Sequence, residues 1–153
     1  MRPEDRAICG VIAATLRRGQ MLHAMSAPVT LASLVAAPAL AAFAAPPLLT
    51  IDAAITCIAG LFEAFFAMRV ALDADLFDDL ARGRLDLDGL DAAFERMGLA
   101  AGKKRGRGLE ARFQGARRLL GYQAASSLTQ FAATILIVLL IGAGALLGWR
   151  ATR

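Results

Sequence analysis

The sequence has few of the residues on which catalytic and metal sites depend. Its 153 residues include one histidine, His23, and two cysteines, Cys9 and Cys57, with no Cys/His pair at a metal-binding spacing. The cysteines lie in different segments, so we expect both to be unpaired apolar residues. His23 precedes a long apolar run, where we expect an interfacial side chain without a functional role. The sequence therefore predicts no enzyme, no metal site and no other cofactor.

Aromatic residues are also scarce, at 7% of the chain, and their number helps to decide whether the basic charge indicates nucleic-acid binding. The 17 lysines and arginines exceed the 13 aspartates and glutamates, which gives a net charge of +4. A nucleic-acid surface interleaves aromatic with basic residues, but only Phe113 and Tyr122 lie near the basic stretch. We therefore expect no nucleic acid among the partners.

Hydrophobic residues are abundant, at 58% of the chain with a mean hydropathy of +0.55. They are gathered in three long runs, which is typical of membrane spans and not of the core of a soluble domain. We predict an all-α integral membrane protein with three transmembrane helices, an N-terminal hairpin followed by a C-terminal span. A charged, amphipathic helical insert on the cytoplasmic side separates the second span from the third.

The first two runs predict a transmembrane helical hairpin over residues 27–69. The first span covers 28–45, begins with Pro28 in its first turn and should be kinked at Pro38. Its many alanines favour close packing against other helices. A proline pair then ends the helix, and the second span covers 48–68.

The N-terminal segment, residues 1–26, contains an apolar patch too short to cross a membrane. Ten helical residues rise about 15 Å, half of the hydrocarbon thickness. We expect a short helix on the inner membrane surface, with arginines near anionic headgroups. Its predicted apolar face comprises Ile8, Val11, Ile12 and Leu16.

Polar residues of the second span fall on one face of the predicted helix. This stripe comprises Asp52, Thr56, Gly60 and Glu63. Glu63 lies near mid-bilayer, where an ionised acid costs several kcal/mol, so it should be neutral, paired, or facing water or another subunit. One interpretation is a carboxylate that handles protons or cations. The other is a protonated acid hydrogen-bonded to a neighbouring helix, for instance to Gln130 or Thr134.

The third run predicts a transmembrane helix within residues 123–149, centred on an uninterrupted stretch of isoleucine, leucine and valine. The predicted helix-packing residues are Gly142, Gly144 and Gly148 of this run, together with Gly60 and Pro38 of the first two spans. The three glycines of the last run include a Gly-x-x-x-Gly pair, which permits close approach of another helix. Packing against the chain's own first span and dimerisation both remain open.

The insert, residues 70–122, is acidic in its first half and basic in its second. We predict that the second-span helix continues to Gly83, that Asp86 or Asp88 caps a further helix, and that a third, over 109–120, leads into the last span. Either the two halves form a hairpin with opposite charges facing, or the basic half docks on lipid headgroups or a partner. The basic residues of this surface are Lys103, Lys104, Arg105, Arg107, Arg112, Arg117 and Arg118.

The distribution of arginine and lysine predicts the orientation. The hairpin tip is uncharged, whereas the N-terminal segment and the insert are both basic, so these two should face the cytoplasm. The tail at 150–153 is then external. An arginine-rich, lysine-poor composition favours a bacterial plasma (inner) membrane.

From these features we expect a non-catalytic accessory or scaffolding subunit of a bacterial inner-membrane complex. Its partners would be membrane lipids and another integral membrane protein or further copies of itself. The expectation depends on small-residue helices, on a buried acid without a charge partner in the chain, and on the lack of catalytic motifs. The alternative is a small homo-oligomeric transporter or channel that uses Glu63, Thr56 and Asp52.

Overall fold

The computed structural model describes residues 1–43, 45–98 and 108–151, with the backbone alone for 146–151. The described residues form helices and no strand, as the sequence predicts. Three stretches are long and apolar enough to cross a membrane, at 3–42, 47–81 and 109–145. The helices are α1 (Pro3–Arg17), α2 (Gly19–Ala42), α3 (Pro47–Ala81), α4 (Leu87–Arg96) and α5 (Leu109–Ala151).

Local signals explain where several of these helices begin and end. Pro3 occupies the first turn of α1, where its missing N–H costs nothing, and Asp5 accepts the backbone N–H of Arg2 at 3.2 Å. Gly83 follows α3 with a φ of 68°, a left-handed conformation that glycine adopts without strain. The Asp86 side chain caps α4 by accepting the Gly89 N–H at 2.7 Å. The predicted stop at Gly83 and cap at Asp86 are confirmed.

The start of α2 differs from the prediction. The helix begins at Gly19, so Pro28 lies in its interior and not in its first turn. Pro28 removes one backbone donor but does not end the helix. Two side chains before Pro28 hold this part of the helix in the fold. His23 contacts Glu63, and Ser26 donates a hydrogen bond to Gln130.

The chain forms two compact units, each built from two separate stretches. We call Met1–Gln20 with Phe66–Gly121 the charged unit, and Met21–Phe65 with Tyr122–Arg153 the apolar unit. The charged unit has an ordinary apolar core, which α1, the second half of α3, α4 and the start of α5 all enter. Its buried residues are Cys9, Ile12, Ala13, Leu16, Val70, Ala74, Phe77, Leu80, Leu90 and Ala116.

The buried face of α1 is not the predicted one. Ile8 and Val11 are 51% and 68% exposed, whereas Cys9 and Ala13 are buried together with Ile12 and Leu16. The residues 9, 12, 13 and 16 follow the spacing of a single helical face, and small side chains at two of these positions permit close packing. The prediction favoured the larger Ile8 and Val11 over the small Cys9 and Ala13, which are the residues that the structure buries.

Ion pairs in the charged unit connect its acidic and basic parts. Arg112 of α5 binds Asp91 of α4, as a hairpin with opposite charges facing requires. Asp78 of α3 has three arginine neighbours, and its carboxylate oxygens lie 3.3 Å from Arg17, 2.8 Å from Arg82 and 3.2 Å from Arg84. The acidic half of the insert therefore has basic partners in α1 and in the turn after α3, in addition to the basic half.

The apolar unit has the opposite arrangement, with polar side chains inside and apolar ones outside. Its fully buried large side chains are Glu63, Gln123 and Gln130. Large apolar side chains of all three of its helices are exposed, among them Leu34, Ile55 and Leu139. Such an arrangement is costly in water and favourable where the surroundings are hydrocarbon.

Candidate functional site

Three polar stripes meet inside the apolar unit, one from each helix. In every stripe the residues are three or four positions apart, so they project from a single helical face. They lie on α2 at His23, Ser26, Thr30 and Ser33, on α3 at Asp52, Thr56, Gly60 and Glu63, and on α5 at Gln123, Ser127 and Gln130. Apart from His23, all of these residues are buried. The predicted common face of the α3 residues is confirmed by their burial.

Glu63 is the centre of the first layer. Its side chain is fully buried, and each carboxyl oxygen has a separate partner. Oε2 lies 2.9 Å from Nδ1 of His23 on α2, and Oε1 accepts a hydrogen bond of 2.8 Å from Nε2 of Gln123 on α5. One carboxyl group thus connects all three helices of the unit.

The contact between Glu63 and His23 fits two protonation states. A protonated Glu63 donates to a neutral imidazole nitrogen, and a carboxylate accepts from an N–H at the same position. Movement of one proton across 2.9 Å converts one state into the other. His23 is 43% exposed, whereas Glu63 is inaccessible, so the imidazole is the part of this pair that solvent or headgroups can reach. The arrangement can exchange a proton between a buried acid and the surface.

The second layer is a closed set of hydrogen bonds around Gln130. Its amide oxygen accepts from the Ser26 hydroxyl, and its Nε2 donates to Oγ1 of Thr30 at 2.8 Å. Thr30 in turn donates to the backbone oxygen of Ser26 at 3.0 Å. Both ends of the Gln130 amide are therefore used, and α5 is fixed to α2 at this level. Oriented side-chain bonds of this kind specify one register between helices.

Gly60 provides the space for this layer. A Cβ atom added at Gly60 would overlap Oγ1 of Thr30 and Nε2 of Gln130. The helix α3 therefore approaches the Thr30–Gln130 hydrogen bond more closely than any other residue type permits. The sequence assigned Gly60 to helix packing, and the structure places it at such a contact.

The third layer contains two buried polar atoms that have no hydrogen-bond partner among the described residues. Asp52 and Thr56 are 5% and 4% exposed, and neither Asp52 Oδ2 nor Thr56 Oγ1 has a hydrogen-bond partner within the described chain. Asp52 lies eleven residues from Glu63, about 16 Å along the helix axis. The stripe thus carries one carboxyl group near each end.

The expected partners of Glu63 are not those observed. Gln130 bonds to Ser26 and Thr30, and Thr134 donates to the backbone oxygen of Gln130 at 2.8 Å. Both residues lie farther along α5 than Gln123, which faces Glu63 because α3 and α5 are paired in this register. The sequence analysis also gave His23 no contact with Glu63, whereas the structure places His23 Nδ1 2.9 Å from Glu63 Oε2.

Two of the proposed packing residues near the end of α5, Gly142 and Gly144, have no neighbour among the described residues. A Cβ atom added at Gly142 or Gly144 would meet nothing within 4 Å, so these glycines do not pack against the first span. Gly148 lies in the last turns of α5, where the backbone alone is described. Pro38, which was also assigned to helix packing, is exposed on α2.

The basic residues of the predicted lipid or partner surface are partly described. Lys103, Lys104, Arg105 and Arg107 lie outside the described residues. Arg117 and Arg118 are exposed on α5 in the charged unit, while Arg112 is partly buried against Asp91.

Gln130 was named by sequence reasoning, but the other buried polar residues of α2 and α5 were missed, although a signal was present. Ser26, Thr30 and Ser33 repeat at four and three residues, and Gln123, Ser127 and Gln130 repeat in the same way. Serine and threonine are common in membrane helices, where they bond to their own backbone, so single occurrences carry little information. Comparing the three helices for matching stripes would have found the layers.

No group of three or more histidine, cysteine, aspartate or glutamate side chains in the described part of the chain could hold a metal ion. Comparisons of the whole chain with protein-family models, with curated proteins and with solved structures found no match.

Proposed function

We propose that the chain is a multi-pass membrane protein that binds a proton at Glu63 and exchanges it through His23. The observation that carries this proposal is the fully buried Glu63 carboxyl group, held between His23 and Gln123 inside the apolar unit. Ionisable groups at such depth are costly and mark proton or ion pathways in membrane proteins. The inverted burial of the apolar unit supports insertion in a membrane.

The path would run along the polar stripe within one chain. His23 marks its accessible end, and Asp52 with Thr56 marks the other. Between these two ends, Gln130 is hydrogen-bonded to Ser26 and Thr30 and occupies the path. The structure therefore corresponds to a closed state of the path. The burial of these residues within the unit favours a path inside one chain over the homo-oligomeric path expected from the sequence.

The proposal is tested by proton flux into liposomes that contain the purified protein. A pH-sensitive dye inside the vesicles reports the flux when a potassium diffusion potential drives it. We expect Glu63→Gln to lower the flux at least tenfold, since an amide keeps the shape but binds no proton. Asp75→Asn is the matched control, because Asp75 is an exposed acid on the same helix. Equal flux from the wild type and Glu63→Gln would overturn the proposal.

A second candidate is the accessory subunit of an inner-membrane complex, and one observation favours it. Gly142 and Gly144 leave an open notch on α5, of the kind into which another helix can pack. One support for this candidate is lost, since Glu63 has a charge partner within the chain. Native mass spectrometry after gentle extraction tests it. A stoichiometric foreign membrane protein that is lost in Gly142→Leu would support it, and a stable monomer would contradict it.

The placement in a bacterial inner membrane with a cytoplasmic N-terminus is also a proposal. Its support is the excess of basic residues in the N-terminal segment and the insert. A cysteine introduced at the exposed Gly98 should react with an impermeant maleimide in inside-out vesicles and not in intact cells. The reverse pattern would contradict the orientation.

A further inference from the structure

A cavity of about 520 Å³ lies in the charged unit, where α3, α4 and the start of α5 face one another. Its volume is within the range of small-ligand sites. Most of the wall is apolar, with contributions from all three helices that include Leu72, Leu76, Phe94 and Leu119. None of the residues that line this cavity belongs to the Glu63 site, and the proposed function makes no use of it.

The charged side chains that line the cavity are three arginines and two aspartates, so their net charge is +1. Arg112 and Asp91 form an ion pair with each other. Arg69 and Asp73 are four residues apart on α3, so their charges offset each other on one helical face. Arg118 has no acidic partner among the described residues, and it completes the wall. An apolar wall with one surplus guanidinium matches a ligand with an apolar chain and a single negative charge.

We propose that this cavity binds an anionic amphiphile, with an acyl chain against the apolar wall and a carboxylate or phosphate at Arg118. Arginine suits both head groups, because its planar fork can donate two hydrogen bonds to either one. The second apolar run ends at Met68, and Arg69 and Leu72 of the same helix line the cavity. The site therefore begins where a membrane span would reach the headgroups, which is where such molecules are concentrated.

Gly115 makes the proposal testable without disturbing the fold. It lines the cavity, and a Cβ atom added there meets nothing within 4 Å. Gly115→Leu should therefore fill the cavity while favouring the helix by up to about 1 kcal/mol. Gly121→Leu is the matched control, because Gly121 lies on the same helix, is also open, and does not line the cavity.

The experiment measures equilibrium binding of radiolabelled oleate, and of phosphatidylglycerol by native mass spectrometry, to the full chain in detergent. We expect one molecule per chain. Arg118→Gln should weaken binding about tenfold, the worth of one charge-assisted hydrogen bond. Arg117→Gln removes an adjacent charge outside the cavity and should change the affinity less than twofold. Gly115→Leu should abolish binding, and Gly121→Leu should not.

Each outcome decides the proposal. Binding of oleate alone identifies a free fatty acid as the ligand, and binding of phosphatidylglycerol identifies a membrane lipid. No binding of either probe would overturn the proposal. Binding that Gly115→Leu leaves intact would also overturn it, because the ligand would then lie outside the cavity. An equal loss of affinity in Arg117→Gln and Arg118→Gln would overturn it too, because the affinity would then come from the general basic surface.

Discussion

His23 Nδ1 lies 2.9 Å from Oε2 of Glu63, although the two residues are forty positions apart and on different helices. The contact joins an imidazole that is 43% exposed to a carboxyl group with no exposed surface. In the described apolar unit no other basic residue is available to Glu63. His23 is therefore the basic side chain of this unit, among the described residues, that contacts the buried acid.

The first prediction concerns His23. His23→Gln keeps a side chain that can bond to Glu63 but cannot take up a proton near neutral pH. We expect proton flux in liposomes to fall at least tenfold, with Glu63 still in place. Thermal unfolding in detergent serves as the control, and it should change little because the hydrogen bond can re-form. A flux equal to that of the wild type would show that protons reach Glu63 by another route.

The second prediction concerns the hydrogen bonds of Gln130. Gln130→Leu removes the partners of the Ser26 hydroxyl and of Thr30 Oγ1. Interhelical bonds in membrane proteins average about 0.6 kcal/mol and reach about 1.7 kcal/mol, so we expect a loss of about 1–3 kcal/mol in the free energy of unfolding. Titration with a denaturing detergent measures it. Gln114→Leu is the control, since Gln114 is exposed and bonds only to nearby Glu110; an equal effect of both changes would refute the prediction.

Helical periodicity made much of the fold predictable. The three apolar stretches, the cap at Asp86 and the turn at Gly83 each follow from local chemistry, and the structure has all of them. The shared face of Asp52, Thr56 and Glu63 was predictable for the same reason. These features need no knowledge of which helix lies beside which.

The partners of Glu63 were not predictable, because they depend on the register between helices. A shift of one turn along α5 would bring Ser127 in place of Gln123 to the level of Glu63, and the sequence favours neither arrangement. His23 was misjudged because α2 begins nine residues before Pro28, at Gly19. Proline inside a helix is common in membrane proteins, where neighbouring groups satisfy the backbone, so its use as a start signal was unsafe.

The third prediction concerns Asp78 in the charged unit. Its carboxylate is near Arg17, Arg82 and Arg84, and its side chain is only 15% exposed. Asp78→Asn leaves three arginines without their common acid. We expect a loss of about 1–2 kcal/mol in stability, more than for a single exposed pair. Asp75→Asn changes an exposed acid on the same helix and should have almost no effect.

Salt separates this contribution from packing. Because the arginines are 42% to 59% exposed, added salt should weaken their ion pairs with Asp78. The difference in the free energy of unfolding between the wild type and Asp78→Asn should therefore become smaller. A difference that stays constant between low and high salt would show that Asp78 acts by packing and not by charge.

The fourth prediction concerns Gly60, where α3 comes close to Thr30 and Gln130. In an open helical position, glycine to alanine stabilises by up to about 1 kcal/mol, and Gly121→Ala should show this gain. At Gly60 the new methyl group would overlap Thr30 and Gln130, so α3 must move or their hydrogen bond must break. Overpacking of this kind costs about 1–3 kcal/mol, which exceeds the gain in helix propensity.

A second variant tests whether that overlap is the cause. Thr30→Ala removes Oγ1, one of the two atoms that the methyl group meets first, but leaves Gln130. In the Thr30→Ala background, Gly60→Ala should therefore cost less than it does in the wild type, without becoming stabilising. A double-mutant cycle by detergent denaturation gives this difference directly. If the two changes are simply additive, α3 does not approach Thr30 as closely as the structure shows, and the layered arrangement around Gln130 must be revised.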